Sequence, residues 1–284
     1  MEADKELLNK YITDALREDL GDGDHTSLST IPQGKMGEAR LIIKEPGVIA
    51  GIDVALAIFK QVDPELDVEV FINDGAEVKY GDIVLVVKGS VYSILVAERL
   101  VLNTMQRMSG IATTTRRIVN LLKDTGTKVL DTRKTTPNMR FLEKLAVKIG
   151  GGVNHRFGLY DMILIKDNHV DYAGGIEKAL QSAKSYIREK NKSIQIEIEV
   201  RNLAELSEVI ACGEVDRILL DNFDFDSLKE AVTLVDGKFI TEASGGITEE
   251  NVLQYARCGV DYVSMGALTH SVKSLDMSLK AVKR

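Results

Sequence analysis

Apolar and polar positions along this chain repeat with different periods in different stretches, and those changes of period divide it. Residues 5–17 put Leu7, Leu8, Tyr11, Ile12, Ala15 and Leu16 on one helical face, which predicts an amphipathic opening helix. An acidic, glycine-rich stretch follows (Glu18 to Thr26). It lacks the glutamate that would close an EF-hand loop and reads as a structural turn. From 37 to 89 short β-type runs take over (ARLIIK, VIAGI, DVEVFI, DIVLVVKG) around one helical interlude at 54–61, predicting a small sheet domain. Helical periodicity then runs from 90 to 124, with a kink expected at Ser109-Gly110.

After Thr127 six short apolar runs appear: 128–131, 162–166, 194–199, 217–221, 238–242 and 261–265. Helical stretches separate them, most clearly 174–190, 202–211, 224–235 and 248–257. Such βα alternation with near-continuous hydrophobic strands predicts a parallel sheet. No glycine-rich dinucleotide fingerprint follows the first strand, so a barrel of about six strands, closed or partly open, is favoured over a Rossmann sheet.

Composition narrows the class. The 284 residues are 44% hydrophobic and 28% charged, enough for a substantial core in one large or two smaller domains. No apolar run is long enough for a transmembrane helix, and the opening MEADKELLNKY is not a secretory signal, so a cytoplasmic protein is expected. A net charge of -7, no Trp and 5% aromatics argue against a nucleic-acid surface. Cys212 and Cys258 lack metal or redox spacing and read as buried reduced thiols.

Within this acidic chain the stretch 131–169 is locally basic. Arg140, Lys144 and Lys148, four residues apart, read as a solvated helix face. Arg133, Lys134, His155, Arg156 and Lys166 lie instead beside strand ends and glycines, where side chains converge on ligands. Arg133 and Arg156 can grip carboxylates bidentately, while Lys134 and Lys166 act as point charges. His155 reads as a hydrogen-bond donor to a carboxylate in preference to a general base. Later strand ends carry the opposite sign. Glu199 and Asp221 are candidates to hold Mg²⁺ or to stabilise positive charge on a sugar. Ser244, Gly245 and Gly246 lead toward a helix read as capped by Thr248, and with Gly266 they form a candidate phosphate turn. Together these residues predict glycosyl transfer from a phosphorylated sugar to an anionic acceptor.

The motifs DTRKTTP, GGGVNHR, IKDNH, EIEV, LDNF, EASGGI and GALTHS, in this order, resemble the quinolinate phosphoribosyltransferase family (nicotinate-nucleotide pyrophosphorylase, carboxylating). EDLGDGDHTS and ERLVLNTMQRMSGIATTT extend the resemblance over nearly the whole chain. It implies a type II phosphoribosyltransferase fold: an N-terminal α/β sandwich domain (1–112) plus an open α/β barrel of about six parallel strands (113–270), with a C-terminal helix (271–284) packing back on the first domain. It implies transfer of phosphoribose from phosphoribosyl pyrophosphate (PRPP) to quinolinate with decarboxylation and Mg²⁺, in a homodimer with shared active sites that is open to higher assembly. Quinolinate then falls to Arg133, His155, Arg156 and Lys166, with Arg99 supplied by the partner subunit. Lys134 falls between quinolinate and pyrophosphate. Glu199 and Asp221 face ribose and metal, and Ser244, Gly245, Gly246, Gly266 and His270 surround the 5′-phosphate. Phe223 stands where methionine is common in the family. Two alternatives remain: a same-fold homologue associated with molybdate transport, using another acceptor, and a biotinyl- or lipoyl-like carrier resting on the hairpin around DGAEVKYGD.

Overall fold

A computed structural model of the chain describes residues 2–282, which form two compact units. One comprises 1–116, 135–151 and 268–284, and the other 117–134 and 152–267. The chain thus crosses between units four times, where two crossings, near 112 and 270, are expected from its order.

The N-terminal part runs α1 (Glu2–Leu20), α2 (His25–Thr30), β1 (Met36–Ile43), β2 (Gly47–Val48), α3 (Ile52–Val62), β3 (Asp67–Val70), β4 (Glu77–Val78), β5 (Ile83–Ser90) and α4 (Val91–Leu122). Only Gly21–Asp24 of the acidic stretch is a turn: Glu18–Leu20 end α1, His25 and Thr26 open α2, and Asp24 caps α2, accepting the Ser27 amide at 3.0 Å. Helix α4 is continuous through Gly110. A Cβ there would collide with the backbone of Lys273 and Ser274, so the glycine serves close packing and not a break.

The remainder runs β6 (Lys128–Leu130), α5 (Arg140–Gly150), β7 (Met162–Ile165), α6 (Asp167–Ala173), α7 (Ile176–Glu189), β8 (Gln195–Val200) and α8 (Leu203–Cys212). It continues through β9 (Arg217–Asp221), α9 (Phe225–Val235), β10 (Ile240–Ser244), α10 (Val252–Ala256), β11 (Tyr262–Ser264), α11 (Ala267–His270) and β12 (Met277–Ala281). All six expected strands of the second region are present.

In the first unit an antiparallel sheet has the order β12-β1-β5-β3. The C-terminal segment returns to this unit as expected, but as a strand where a helix is expected, with Leu279 opposite Leu41. Met277 and Leu279 are buried while Lys280 is exposed, the two-residue alternation of an edge strand. Residues 283 and 284, the end of the expected helix, lie outside the described residues. The second unit holds a six-stranded parallel sheet of order β6-β11-β10-β9-β8-β7. Strands β6 and β7 are its two edges, so the barrel is open; Ile196, Ile198, Ile218, Leu220, Ala243 and Val263 are buried on one face of the sheet, alternating with Glu197, Arg217 and Glu242 on the other.

Helix α5 corrects the reading of Arg140, Lys144 and Lys148. Lys148 is exposed, but Lys144 is 2% exposed and Arg140 is partly covered. Its neighbour Glu143, fully buried, binds Arg107 of α4 at 2.9 Å and the Thr136 amide at 3.1 Å. Spacing by four identified one face but could not say that this face packs inward. Among the described residues no helix is long and apolar enough to cross a membrane.

Candidate active site

The C-terminal ends of the parallel strands carry most of the predicted residues, because the loops after the strands lie on one face of such a sheet. Asp131, just past β6, is fully buried and accepts the His155 amide at 2.9 Å and the Asn154 side chain at 2.5 Å. This carboxylate ties the 154–156 turn to the end of the first barrel strand. Arg133 and Lys134 follow it and are exposed. Arg156 is 9% exposed and donates to the Met162 carbonyl at 3.3 Å. Burial pushes its pKa down, and the positive charge of Arg133 pushes it further in the same direction. Two guanidiniums held this way are stabilised by an anion between them.

Lys166 ends the next strand, its amide accepted by His169 Nδ1 at 2.9 Å and its ammonium 3.6 Å from Glu199. Burial raises the Glu199 pKa. Lys166 opposes that shift, while Asp221 and Asp167 add to it. Three carboxylates therefore crowd one lysine, an excess of negative charge that a divalent cation with oxygen ligands would relieve. The residues thus fit Mg²⁺ at Glu199 and Asp221.

Deeper in the barrel is a second set of charges. His155 Nε2 lies 2.9 Å from Glu197 and 3.4 Å from Glu242, and Glu242 is held by Arg217 at 3.1 Å. Both carboxylates are essentially unexposed. Arg217 also lies over the Tyr262 ring, 4.8 Å from its centroid. On the other side of the imidazole, Nδ1 accepts the Arg156 amide at 2.7 Å, which places the ring proton on Nε2. Burial pulls the His155 pKa down, but the hydrogen bonds and charges of Glu197 and Glu242 push it up and outweigh burial, favouring a proton on the Nε2 side of the ring that faces them. A second proton on Nδ1 would break the contact with the Arg156 amide, and the geometry favours the Nε2–H tautomer. Nε2 of His155 thus faces carboxylates of the protein itself, where a donor to a ligand carboxylate is expected. Its accessibility to a ligand is limited, with 8% of the side chain exposed.

The glycine turn after β10 is built tightly. Gly245 has φ +95, and a Cβ there would run into the Asn222 side chain, which itself donates to Asp221 at 2.6 Å. Gly246 has φ +60 with open space above it. The helix expected to begin at Thr248 instead begins at Val252 and has five residues. Asn251 accounts for the difference: its side chain accepts the Thr248 amide at 2.7 Å and donates to the Gly246 carbonyl at 3.0 Å, closing the turn before the helix starts. Any phosphate held here would rely on loop amides, with little contribution from a helix dipole. Gly266 follows β11.

Arg99 and His270 belong to the first compact unit. Arg99 is exposed and lines a cleft of about 590 Å³ with Glu18, Asn103, Gln106 and Arg107. His270 is exposed, with Nδ1 2.6 Å from the Ser271 hydroxyl.

Comparison with known proteins covers nearly the whole chain. Residues 24–109 match the quinolinate phosphoribosyl transferase N-terminal domain, and residues 111–280 its C-terminal domain. The chain belongs to the quinolinate phosphoribosyltransferase family. It is 48% identical over 281 residues to quinolinate phosphoribosyltransferase (decarboxylating) 2a, mitochondrial, of Nicotiana tabacum, covering 94% of this chain and 80% of the relative. It is 47% identical over 290 residues to nicotinate-nucleotide pyrophosphorylase (carboxylating), chloroplastic, of Arabidopsis thaliana, covering 96% and 82%. Among solved structures, NadC from Streptococcus pyogenes superposes with a TM-score of 0.92 at 40% identity over 97% of both chains.

In this phosphoribosyltransferase, motif reading reached the rim of the barrel and missed part of what supports it. Asp131, Glu197 and Glu242 fall among the strand-end residues of the sequence but carry no expected role, and Arg217 is not singled out. A signal for them was present: carboxylates in the middle of parallel strands, Glu197 within QIEIEV and Glu242 within ITEAS, where a packed barrel has branched apolar chains.

Proposed function

We propose that this chain transfers the phosphoribosyl group of PRPP to the ring nitrogen of quinolinate and releases CO2, giving nicotinate mononucleotide and pyrophosphate. The observation that carries this reading is the pairing of opposites at the strand ends. The charge of Arg133 adds to burial in lowering the Arg156 pKa on one side, and Glu199 and Asp221 crowd together beside Lys166. A dicarboxylate suits the cationic half, and a sugar developing positive charge suits the anionic half. The carrier alternative has no such arrangement behind it.

In this reading Arg133 and Arg156 grip the acceptor carboxylates, with Lys166 as a further point charge and Arg99 supplied by the partner in a homodimer. Lys134 lies toward the pyrophosphate. The turn Ser244–Gly246, with Gly266, takes the 5′-phosphate through amides that a side chain at Gly245 would obstruct. Glu199 and Asp221 stabilise the oxocarbenium-like ribose as the C1′–O bond to pyrophosphate breaks, and positioning of the ring nitrogen supplies much of the remaining acceleration. Mg²⁺ at Glu199 and Asp221 would offset the charge of the departing pyrophosphate. Once the nitrogen is ribosylated it is cationic. The C–CO2 bond then breaks with its electron pair left on the adjacent ring carbon, and that carbon takes a proton from water. A cytoplasmic location fits the two free cysteines, Cys212 and Cys258.

The test supplies PRPP and Mg²⁺ with either pyridine-2,3-dicarboxylate or nicotinate and follows CO2 and nucleotide. Turnover of the dicarboxylate with stoichiometric CO2 is expected; turnover of nicotinate alone would overturn the acceptor assignment. For the shared site, mixing Arg99→Ala and Lys134→Ala protomers should recover part of the activity, and no recovery would count against sharing.

A further inference from the structure

The buried cluster of His155, Glu197, Arg217 and Glu242 has no part in the chemistry above, yet it occupies the middle of the barrel. Glu197 is the third residue of β8, between the buried Ile196 and Ile198, and Glu242 the third of β10, between the buried Thr241 and Ala243. Neither Glu197 oxygen receives an aligned hydrogen bond among the described residues, although His155 Nε2 stands 2.9 Å away. A buried carboxylate is costly to keep for packing alone. His155, Glu197 and Glu242 do bring ligand atoms within 4.8 Å of one another, as a cation site would. Arg217, 3.1 Å from Glu242, argues against that, since its guanidinium already supplies the positive charge.

What the cluster does hold is one orientation of an imidazole. With Nε2 turned to the two carboxylates, Nδ1 is left to accept the Arg156 amide at 2.7 Å. Asp131 grips the same turn one residue earlier through the His155 amide at 2.9 Å. The turn from which Arg156 departs is therefore pinned twice, once from β6 and once from the barrel interior through the His155 ring. We propose that Glu197 and Glu242 are positioning residues for the acceptor site, acting through the orientation of His155 on the backbone of Arg156. The inference rests on the assignment of Arg156 to quinolinate binding. It also makes His155 a link in the scaffold, where the family resemblance makes it a direct ligand.

Glu197→Leu is the informative variant, because it removes one carboxylate and leaves the Glu242–Arg217 pair intact. The KM for quinolinate should rise about tenfold or more while the KM for PRPP stays within about twofold, as follows from losing one charge-assisted contact. Glu197→Gln, which keeps an acceptor, should recover most of the loss. If Glu197→Leu does not fold, Glu197→Gln and Glu242→Gln carry the same comparison with smaller effects. The independent readout is side-chain ¹⁵N NMR of histidine-labelled protein, where His155→Gln identifies one signal among the four histidines. The parent should show His155 as a single Nε2–H tautomer, and Glu197→Leu should mix the tautomers. Both nitrogens protonated in the parent, or equal rises in the two KM values, would overturn the proposal. So would lowered thermal stability with an unchanged quinolinate KM. If quinolinate were not turned over at all, the functional reading would fail, and the ring signal would still decide the anchor.

Discussion

Glu197 and Glu199 stand two residues apart on one strand and live in opposite electrostatic circumstances. Glu197 belongs to an interior group in which unlike charges face one another: His155 between two carboxylates, and Arg217 against Glu242. Glu199 belongs to a rim in which like charges gather, with Asp221 and Asp167 beside it, and Arg133 beside Arg156 elsewhere on the same face. The interior group is completed within the chain, so its role is to hold shape. The rim is completed only by something that brings the missing charge, which is why strained titrations concentrate at sites of function.

That contrast can be broken from either side. The largest effect is expected at the interior: Glu242→Ala should destabilise the fold by about 3–5 kcal/mol, because Arg217 is left buried without its carboxylate. Urea unfolding measures this, and adding Arg217→Leu should return a large share of the loss. A stable single variant would mean the interior is not a charge-paired unit. At the rim Lys134→Ala should reduce kcat by about 10²–10³-fold, or roughly 3–4 kcal/mol of transition-state stabilisation, with the melting temperature nearly unchanged. A large fall in melting temperature would erase the distinction between the two groups. Gly245→Ala should fall between the two kinds of effect. Strain at φ +95 and the clash with Asn222 cost about 1–3 kcal/mol locally, and the KM for PRPP should rise more than that for quinolinate. The control is Asp14→Ala, which removes the exposed pair with Lys10. Neither stability nor kinetics should change measurably.

Much of the rim was legible before any coordinates. Parallel strands of a barrel end on one face, so a list of strand-end residues is already a list of neighbours, and Arg133, Lys166, Glu199, Asp221 and Ser244 could be read that way. Three features were not legible, each for a local reason. Residues 277–281 are too short for a helical and an alternating pattern to be told apart, and pairing with β1 decided for a strand. The turn at Gly245 and Gly246 was recognised, but Asn251 delays the helix after it by spending its side chain on the turn. On α5 the pattern of lysines every fourth residue suggested a wet face, whereas Glu143 turns toward Arg107 and Lys144 is buried with it.

By itself the sequence determined the βα alternation, the sign of charge at each strand end and the glycines where only a positive φ serves, because these depend on residue type and period. It could not determine which way the His155 ring faces. That orientation arises from three strands far apart in the chain, β8, β9 and β10, which carry Glu197, Arg217 and Glu242 into one buried layer. Only when the barrel brings those charges together does water leave. The electrostatics of the dry interior then become strong enough to choose one position for the imidazole and, through it, for the Arg156 backbone.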